Sequence, residues 1–353
     1  MLTPGQNTNT DELIRIANEM VLKKPPLPLI KDATSHPIFI TAIEGHLIQL
    51  MEKKKLLLPN FHEHIQTIAV FSDYGGETST ASYQTYSFLF TGYNALYHVL
   101  REMRSIREKH GLLEPHKEIC FKDMGYGPLN RSLDSWLYLG NYLPGLLFTL
   151  IVSKNISSII GNNEKKFSKE LAEALQVYDM GHWKAPMAEK LLRIVHTICY
   201  FSGLLSIEGQ KIFWMTDDDA IMANADKKKA TGMLLSRLLP AYTTKEYGSI
   251  GMATPFDDEN DGNDGSNISD LLSYPDLVAG SVEAFYSNCF NNEAGVIKDT
   301  ANKVLLWLCN QGIGLKKLTM SFNCNADGAL QTAMVEFHRK EKEINAEYIP
   351  IWM

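Results

Sequence analysis

The chain has 353 residues, enough for one large domain with insertions or two modest ones, and its 45% hydrophobic content supports a substantial core. A net charge of -7 argues against sequence-independent coating of nucleic acid, which needs a basic surface; it leaves room for an enzyme whose acidic cluster holds metal ions. The five cysteines (Cys120, Cys199, Cys289, Cys309 and Cys324) are odd in number and contain no CxxC pair, so neither a zinc site nor a disulfide framework is indicated.

In chain order, Met1 to Asp11 is polar and lacks a signal-peptide core, which makes a reducing cytoplasm the expected compartment. Residues 11–23 have the pattern of an amphipathic helix that Pro25-Pro26-Leu27-Pro28 stops, and a second helix is expected over 37–56. From Ile65 the period changes. Ile65 to Ser72 reads as a buried strand, Asp73 to Ala81 as a polar turn containing glycine, and Tyr83 to Phe90 as a returning strand. A helix over 93–108, a short strand at Ile119-Cys120-Phe121, a helix over 129–142 and a strand from Leu146 to Val152 follow.

Gly161 to Ser206 reads as a helical insertion. Lys211 to Met215 resumes the sheet, and a helix over 227–239 ends at Pro240. An acidic, glycine-rich loop from Asp257 to Asn267 precedes a helix running to about Asn288. The last segment holds a helix near 297–311, a strand from Leu318 to Phe322 and a charged amphipathic tail. The longest lipid-like run, Leu143 to Val152, is too short to span a membrane and contains Pro144 and Gly145, so no membrane association is expected.

Four acidic landmarks carry the chemistry: Asp73 after Ile68-Ala69-Val70-Phe71, the segment Glu118 to Asp123, Asp217-Asp218-Asp219 after Ile212-Phe213-Trp214-Met215, and Asp276. A two-metal hydrolase uses three or four carboxylates to hold two divalent ions about 4 Å apart. Mg²⁺ prefers oxygen ligands and keeps several waters, so aspartates suffice. Each residue also has a plain explanation. Asp73 could start the turn before Gly75-Gly76. The aspartate triplet could cap the next helix, and Ser273-Tyr274-Pro275-Asp276 matches a capping box. Spacing does not choose between Glu118 and Asp123.

Other candidates are weaker. His62-Glu63-His64 has no evident third ligand and reads as a solvated loop. The stretch beginning at Asp257 imitates a calcium loop, but Ile268 stands where the bidentate Glu belongs. Neither a Walker A sequence nor a GxSxG elbow is present.

In order, these segments resemble the family catalogued as domain of unknown function 3800, in the RNase H-like superfamily. Ile68 to Gly76 looks like its first strand, Glu118 to Met124 is similar to its Glu-Ile/Leu-His/Lys segment, and Leu271 to Gly280 is similar to its last, Asp-bearing helix. The likeness covers roughly 65–290. It implies an α/β fold: an RNase H-like mixed sheet flanked by helices, with a helical N-terminal segment (1–64), a helical insertion (161–206) and a C-terminal extension (291–353). It also implies Asp73 and Asp276 as ligands of Mg²⁺ or Mn²⁺, Asp217 or Asp218 as the third carboxylate, and Glu118 as a possible fourth. The chain departs from the family in Asp73-Tyr74-Gly75-Gly76, where Asp-Glu-Ser-Gly is usual, and at Cys120, Ser273 and Pro275.

Three functions stay open. One is a metal-dependent nuclease acting on DNA or RNA through Asp73, Glu118, Asp217, Asp218 and Asp276. The second is a nucleotide-sugar transferase using Asp217 and Asp219. The third is a non-catalytic interaction protein, with the helical insertion or the C-terminal extension as partner surfaces.

Overall fold

The computed structural model describes residues 20–339 except 63, 114–116, 162–163, 165, 218, 256–266, 291–297 and 326. Asp218, most of the acidic loop and most of the expected first helix therefore lie outside the described residues. The described end of that helix is not helical: Val21 forms a β-bridge with Pro59.

Seven strands form one mixed sheet: β1 (Thr67–Gly75), β2 (Tyr83–Gly92), β3 (Gly145–Ser153), β4 (Lys211–Thr216), β5 (Ile250–Ala253), β6 (Leu315–Cys324) and β7 (Leu330–Met334). Their spatial order is β5-β4-β1-β2-β3-β6-β7. β1, β2 and β3 are mutually antiparallel neighbours, while β4 runs parallel to β1, and β5 parallel to β4. β6 runs parallel to β3 from Gly145↔Leu315 to Val152↔Phe322. The residues expected as a C-terminal extension thus complete the same sheet, and β7 occupies part of the expected charged tail.

Helices cover both faces, which explains why β3 is buried at every position and reads as a continuous apolar run. One face carries α1 (Ile38–Glu52), α4 (Phe167–Val177), α5 (Ala185–Leu205) and α6 (Ala225–Leu238). Val70, Phe88, Phe148 and Trp214 project to that side. The other face carries α2 (Tyr97–His110), α3 (Gly127–Gly140), α7 (Ser273–Phe290) and α8 (Asp299–Leu308) over Ala69, Phe71, Leu147 and Met215. α5 is buried through nearly its whole length, so this part of the expected insertion contributes a core layer.

Among the described residues no helix is long and apolar enough to cross a membrane. All five cysteines are unpaired.

Candidate active site

Strand register brings the first two carboxylates together. Parallel pairing aligns Phe71 with Met215 and Ser72 with Thr216, so one further step sets Asp73 beside Asp217. Side chains alternate along a strand, so Asp73 shares the face of Ala69 and Phe71, and Asp217 shares that of Met215. Both point toward α7. Asp73 does not start a turn: it lies within β1, paired with Ser87, and the strand continues to Gly75.

The third carboxylate descends from α7. The capping-box expectation at Ser273 fails because helical structure begins earlier, in a 3₁₀ turn over Ile268–Leu272 whose Asn267 side chain accepts from the Ser269 N–H at 2.9 Å. Ser273 is already helical, and its hydroxyl donates to the Asp270 carbonyl and accepts from Trp136 Nε1 at 2.8 Å. Asp276 is thereby released from capping, and its Oδ2 accepts from the Phe121 N–H at 2.5 Å.

α7 also approaches the end of β1 closely. Thr85 Oγ1 donates to the Ala279 carbonyl at 2.9 Å, and a Cβ on Gly75 would stand 2.6 Å from Thr85 Oγ1 and 3.0 Å from the Ala279 oxygen. A Cβ on Gly280 would meet the Phe121 ring at 2.3 Å. Neither site has room for a side chain, and this spacing keeps Asp276 against the sheet.

The segment around Glu118 is not the expected strand. Phe121–Asp123 forms a 3₁₀ turn, because the Phe121 N–H is committed to Asp276 and no strand neighbour is offered. Asp123 turns outward to Lys117, with Nζ to Oδ2 at 2.9 Å, whereas Glu118 lines the pocket. Arg107 on α2 fixes this segment: Nη1 donates to the Lys117 carbonyl at 2.6 Å, while Nε donates to Asp270 Oδ2 at 2.7 Å and Nη2 to Asp270 Oδ1.

Asp73, Glu118, Asp217 and Asp276 therefore line one cavity of about 250 Å³, with Ser269, Asp270 and Pro255 also in its wall. Burial, then the Asp276 charge, raises the Asp73 carboxyl well above the usual carboxylate range; the Asp217 charge adds to this, and the Tyr74 N–H and Lys190 oppose it. Burial raises Asp276 to about 7, with Glu118 and Asp217 adding to the effect and the Phe121 N–H and Lys122 opposing it. No Lys or Arg is among the described residues that line the cavity.

Asp219 faces elsewhere. Its Oδ1 accepts from the Ile221 N–H at 2.8 Å and its Oδ2 pairs with Lys190 at 2.5 Å, while the N-cap of α6 is Asn224. Lys190 reaches Asp219 and Glu77 from α5 and sits 4.6 Å from the Tyr74 ring centroid. His64 is exposed, and Glu63 lies outside the described residues. Among the described residues no three His, Cys, Asp or Glu side chains form a ready-made metal cage.

The sequence reading missed Arg107, Asp270 and Lys190. The signal for Arg107 was present: it follows Val99 and Met103 at four-residue steps on the buried stripe of α2, where an arginine requires a partner. Lys190 likewise interrupts the apolar run of α5.

Compared with protein-family models, curated proteins and solved structures, the chain matches none of them.

Proposed function

We propose that this chain is a divalent-metal-dependent nuclease built on an RNase H-like sheet. The observation that carries the reading is the meeting of Asp73, Glu118, Asp217 and Asp276 in one cavity from four separate segments. Strand order supports it as well. The subset β3-β2-β1-β4-β5, with the first three antiparallel and the last two parallel to β1, is the arrangement an RNase H-like core calls for.

The donor set fits Mg²⁺ or Mn²⁺. All four side chains offer carboxylate oxygens, and burial with mutual repulsion raises the Asp73 and Asp276 carboxyls, a penalty on their charged forms that a divalent cation would relieve. Asp73 and Asp217, on adjacent strands, would form one wall of the ion site, and Asp276 the facing wall. Glu118, exposed at the rim, would be the fourth donor. Divalent ions held by these residues would supply a water-derived nucleophile and neutralise the leaving oxygen. The chain's own part is to keep the carboxylates oriented: the Phe121 N–H holds Asp276, the Tyr74 N–H holds Asp73 at 2.5 Å, and Arg107 holds the Glu118 segment.

The transferase reading loses support because Asp217 lines the cavity while Asp219 is paired with Lys190. The test is cleavage of labelled single-stranded, duplex and hybrid DNA and RNA in Mg²⁺ or Mn²⁺ against EDTA, with Asp73→Asn beside the wild type. Metal-dependent cleavage lost in Asp73→Asn supports the nuclease. Equal cleavage by both proteins assigns the chemistry elsewhere, and no cleavage by wild type leaves the interaction-protein reading.

A further inference from the structure

One end of the sheet is an open edge. β5 is the last strand beyond β4, and no described strand pairs with its other side. Parallel register sets Ile250 beside Ile212, and the Ile212 N–H donates to the Ser249 carbonyl at 2.9 Å. A parallel ladder bonds a residue to the two that flank its partner, so Ser249 and Gly251 turn their backbone groups toward β4. The N–H and C=O of Ile250 and Met252 therefore point outward along the edge.

A groove of about 630 Å³ runs between this edge and α6. Ile250 and Met252, both half-buried, line one side, and Lys229, Met233 and Arg237 line the other. Lys229 and Arg237 are exposed, and no carboxylate is among the described lining residues, although the chain's net charge is -7. Arg237 is held in place by Nη1, which donates to the Tyr178 carbonyl at 2.8 Å. Its Nε and Nη2 make no hydrogen bond with a described residue, which leaves the pair of donors that fits a carboxylate.

The spacing of the stripe matches an extended chain. Lys229, Met233 and Arg237 follow at four-residue steps on α6, about 6 Å apart along its axis. Side chains on one face of a strand stand about 6.6 Å apart. α6 is the crossover between the parallel strands β4 and β5, so its axis lies along them. A strand laid beside β5 can thus set an acidic, an apolar and an acidic side chain, two residues apart, against Lys229, Met233 and Arg237.

We infer that this edge docks an extended acidic segment of a partner protein, which joins the sheet as one more strand beside β5. Main-chain hydrogen bonds to Ile250 and Met252 hold its backbone, and the α6 stripe selects an acidic-x-apolar-x-acidic pattern. A second copy of this chain fits the edge poorly, because edge-to-edge pairing would bring two sets of these cations together. A phosphate backbone offers no alternating N–H and C=O groups to the strand. The groove opens on the face of Val70 and Trp214, and the carboxylates open on that of Phe71 and Met215, so the inference is independent of the nuclease reading.

The experiment is fluorescence anisotropy of the labelled peptide Gly-Glu-Thr-Val-Thr-Glu-Gly with the full chain. Wild type should bind, less tightly as salt rises, and K229E/R237E should bind at least about tenfold more weakly. Ile250→Pro removes an outward N–H at the first residue of an edge strand, where proline is tolerated, and should weaken binding at least about fivefold. Circular dichroism checks that each variant is folded. Only one alternate set of peptide amides can face β5. Of the two alternately N-methylated peptides, one should therefore lose binding and the other keep it, a readout that needs no protein variant.

No binding by wild type would overturn the inference and leave the cations as guards of the edge against pairing. Unchanged affinity in folded K229E/R237E would overturn it as well. So would binding of both N-methylated peptides as tight as that of the parent, which would show attraction by charge without strand addition. Equally effective competition by oligothymidylate of matched charge would assign the groove to nucleic acid. A wild-type dimer in sedimentation that K229E/R237E dissolves would assign it to a second copy.

Discussion

Arg107 on α2 grips the Asp270 carboxylate through two guanidinium nitrogens, and the two side chains are only 2% and 6% exposed. The same guanidinium donates to the carbonyls of Leu112 and Lys117, and it lies 5.5 Å from the Trp136 ring centroid. One cation thus joins the turn that leads into α7, which carries Asp276, to the segment that carries Glu118. Two walls of the carboxylate cavity depend on a residue outside it.

Removing this cation should be costly. Arg107→Ala leaves Asp270 buried without its partner, and breaking such a pair costs about 3–5 kcal/mol. Arg107→Lys should recover little, since an ammonium cannot reproduce the two-pronged geometry. Urea denaturation measures both, and a loss below about 1 kcal/mol for Arg107→Ala would contradict this role.

Stability should depend on pH through Asp276. Its folded-state value is raised from 3.8 to about 7, chiefly by burial. Below about pH 4, near the unfolded value, both states hold the proton and the group carries no penalty. Between about pH 4 and pH 7 the unfolded chain releases its proton first, so native stability falls as pH rises, and above pH 7 the effect is complete. Denaturation in EDTA from pH 4 to 8 should therefore show Asp276→Asn gaining on wild type through that window and then holding level. A pH-independent difference would contradict the raised value.

Divalent cations should reverse that penalty. Mn²⁺ at about a hundred times its dissociation constant stabilises a single-site protein by about 2.7 kcal/mol. The gain should be larger at pH 8 than at pH 5.5, because binding displaces the proton from Asp276, whose carboxyl is raised to about 7. Thermal melts with and without Mn²⁺ check this. Asp73→Asn should lose most of the response, and an equal response would place the ion elsewhere.

The two partners of Lys190 should differ in weight. Asp219 is 16% exposed and Glu77 is 59% exposed. Asp219→Asn leaves a mostly buried lysine without its main counter-charge and should cost about 3 kcal/mol. Glu77→Gln alters a pair open to water and should cost less than about 1 kcal/mol. Equal losses in denaturation would show that burial does not rank the two.

Much of the secondary structure was legible because its physical cause is local. The runs that became β1, β2 and β3 are apolar since both sheet faces are covered, and the helices over 38–52 and 127–140 end within a few residues of where the pattern ends. What went unread depended on partners distant in sequence. The short β5 has little pattern of its own and exists by pairing with β4, and β7 exists by pairing with β6. Ile119-Cys120-Phe121 has strand composition, yet the Phe121 N–H goes to Asp276, 155 residues away.

The acidic residues were visible in sequence as candidates, each with an equally simple local explanation. The sequence by itself determined which carboxylates stand at strand ends and on a neighbouring helix. Only the tertiary structure decided between cavity and cap. Parallel register sets Asp73 beside Asp217, an earlier helix start at Asn267 frees Asp276 from capping, and the salt bridge to Lys190 takes Asp219 away. The reason is physical: a carboxylate's role depends on which charges and donors lie within a few ångströms of it, and the fold, not adjacency in sequence, sets that distance.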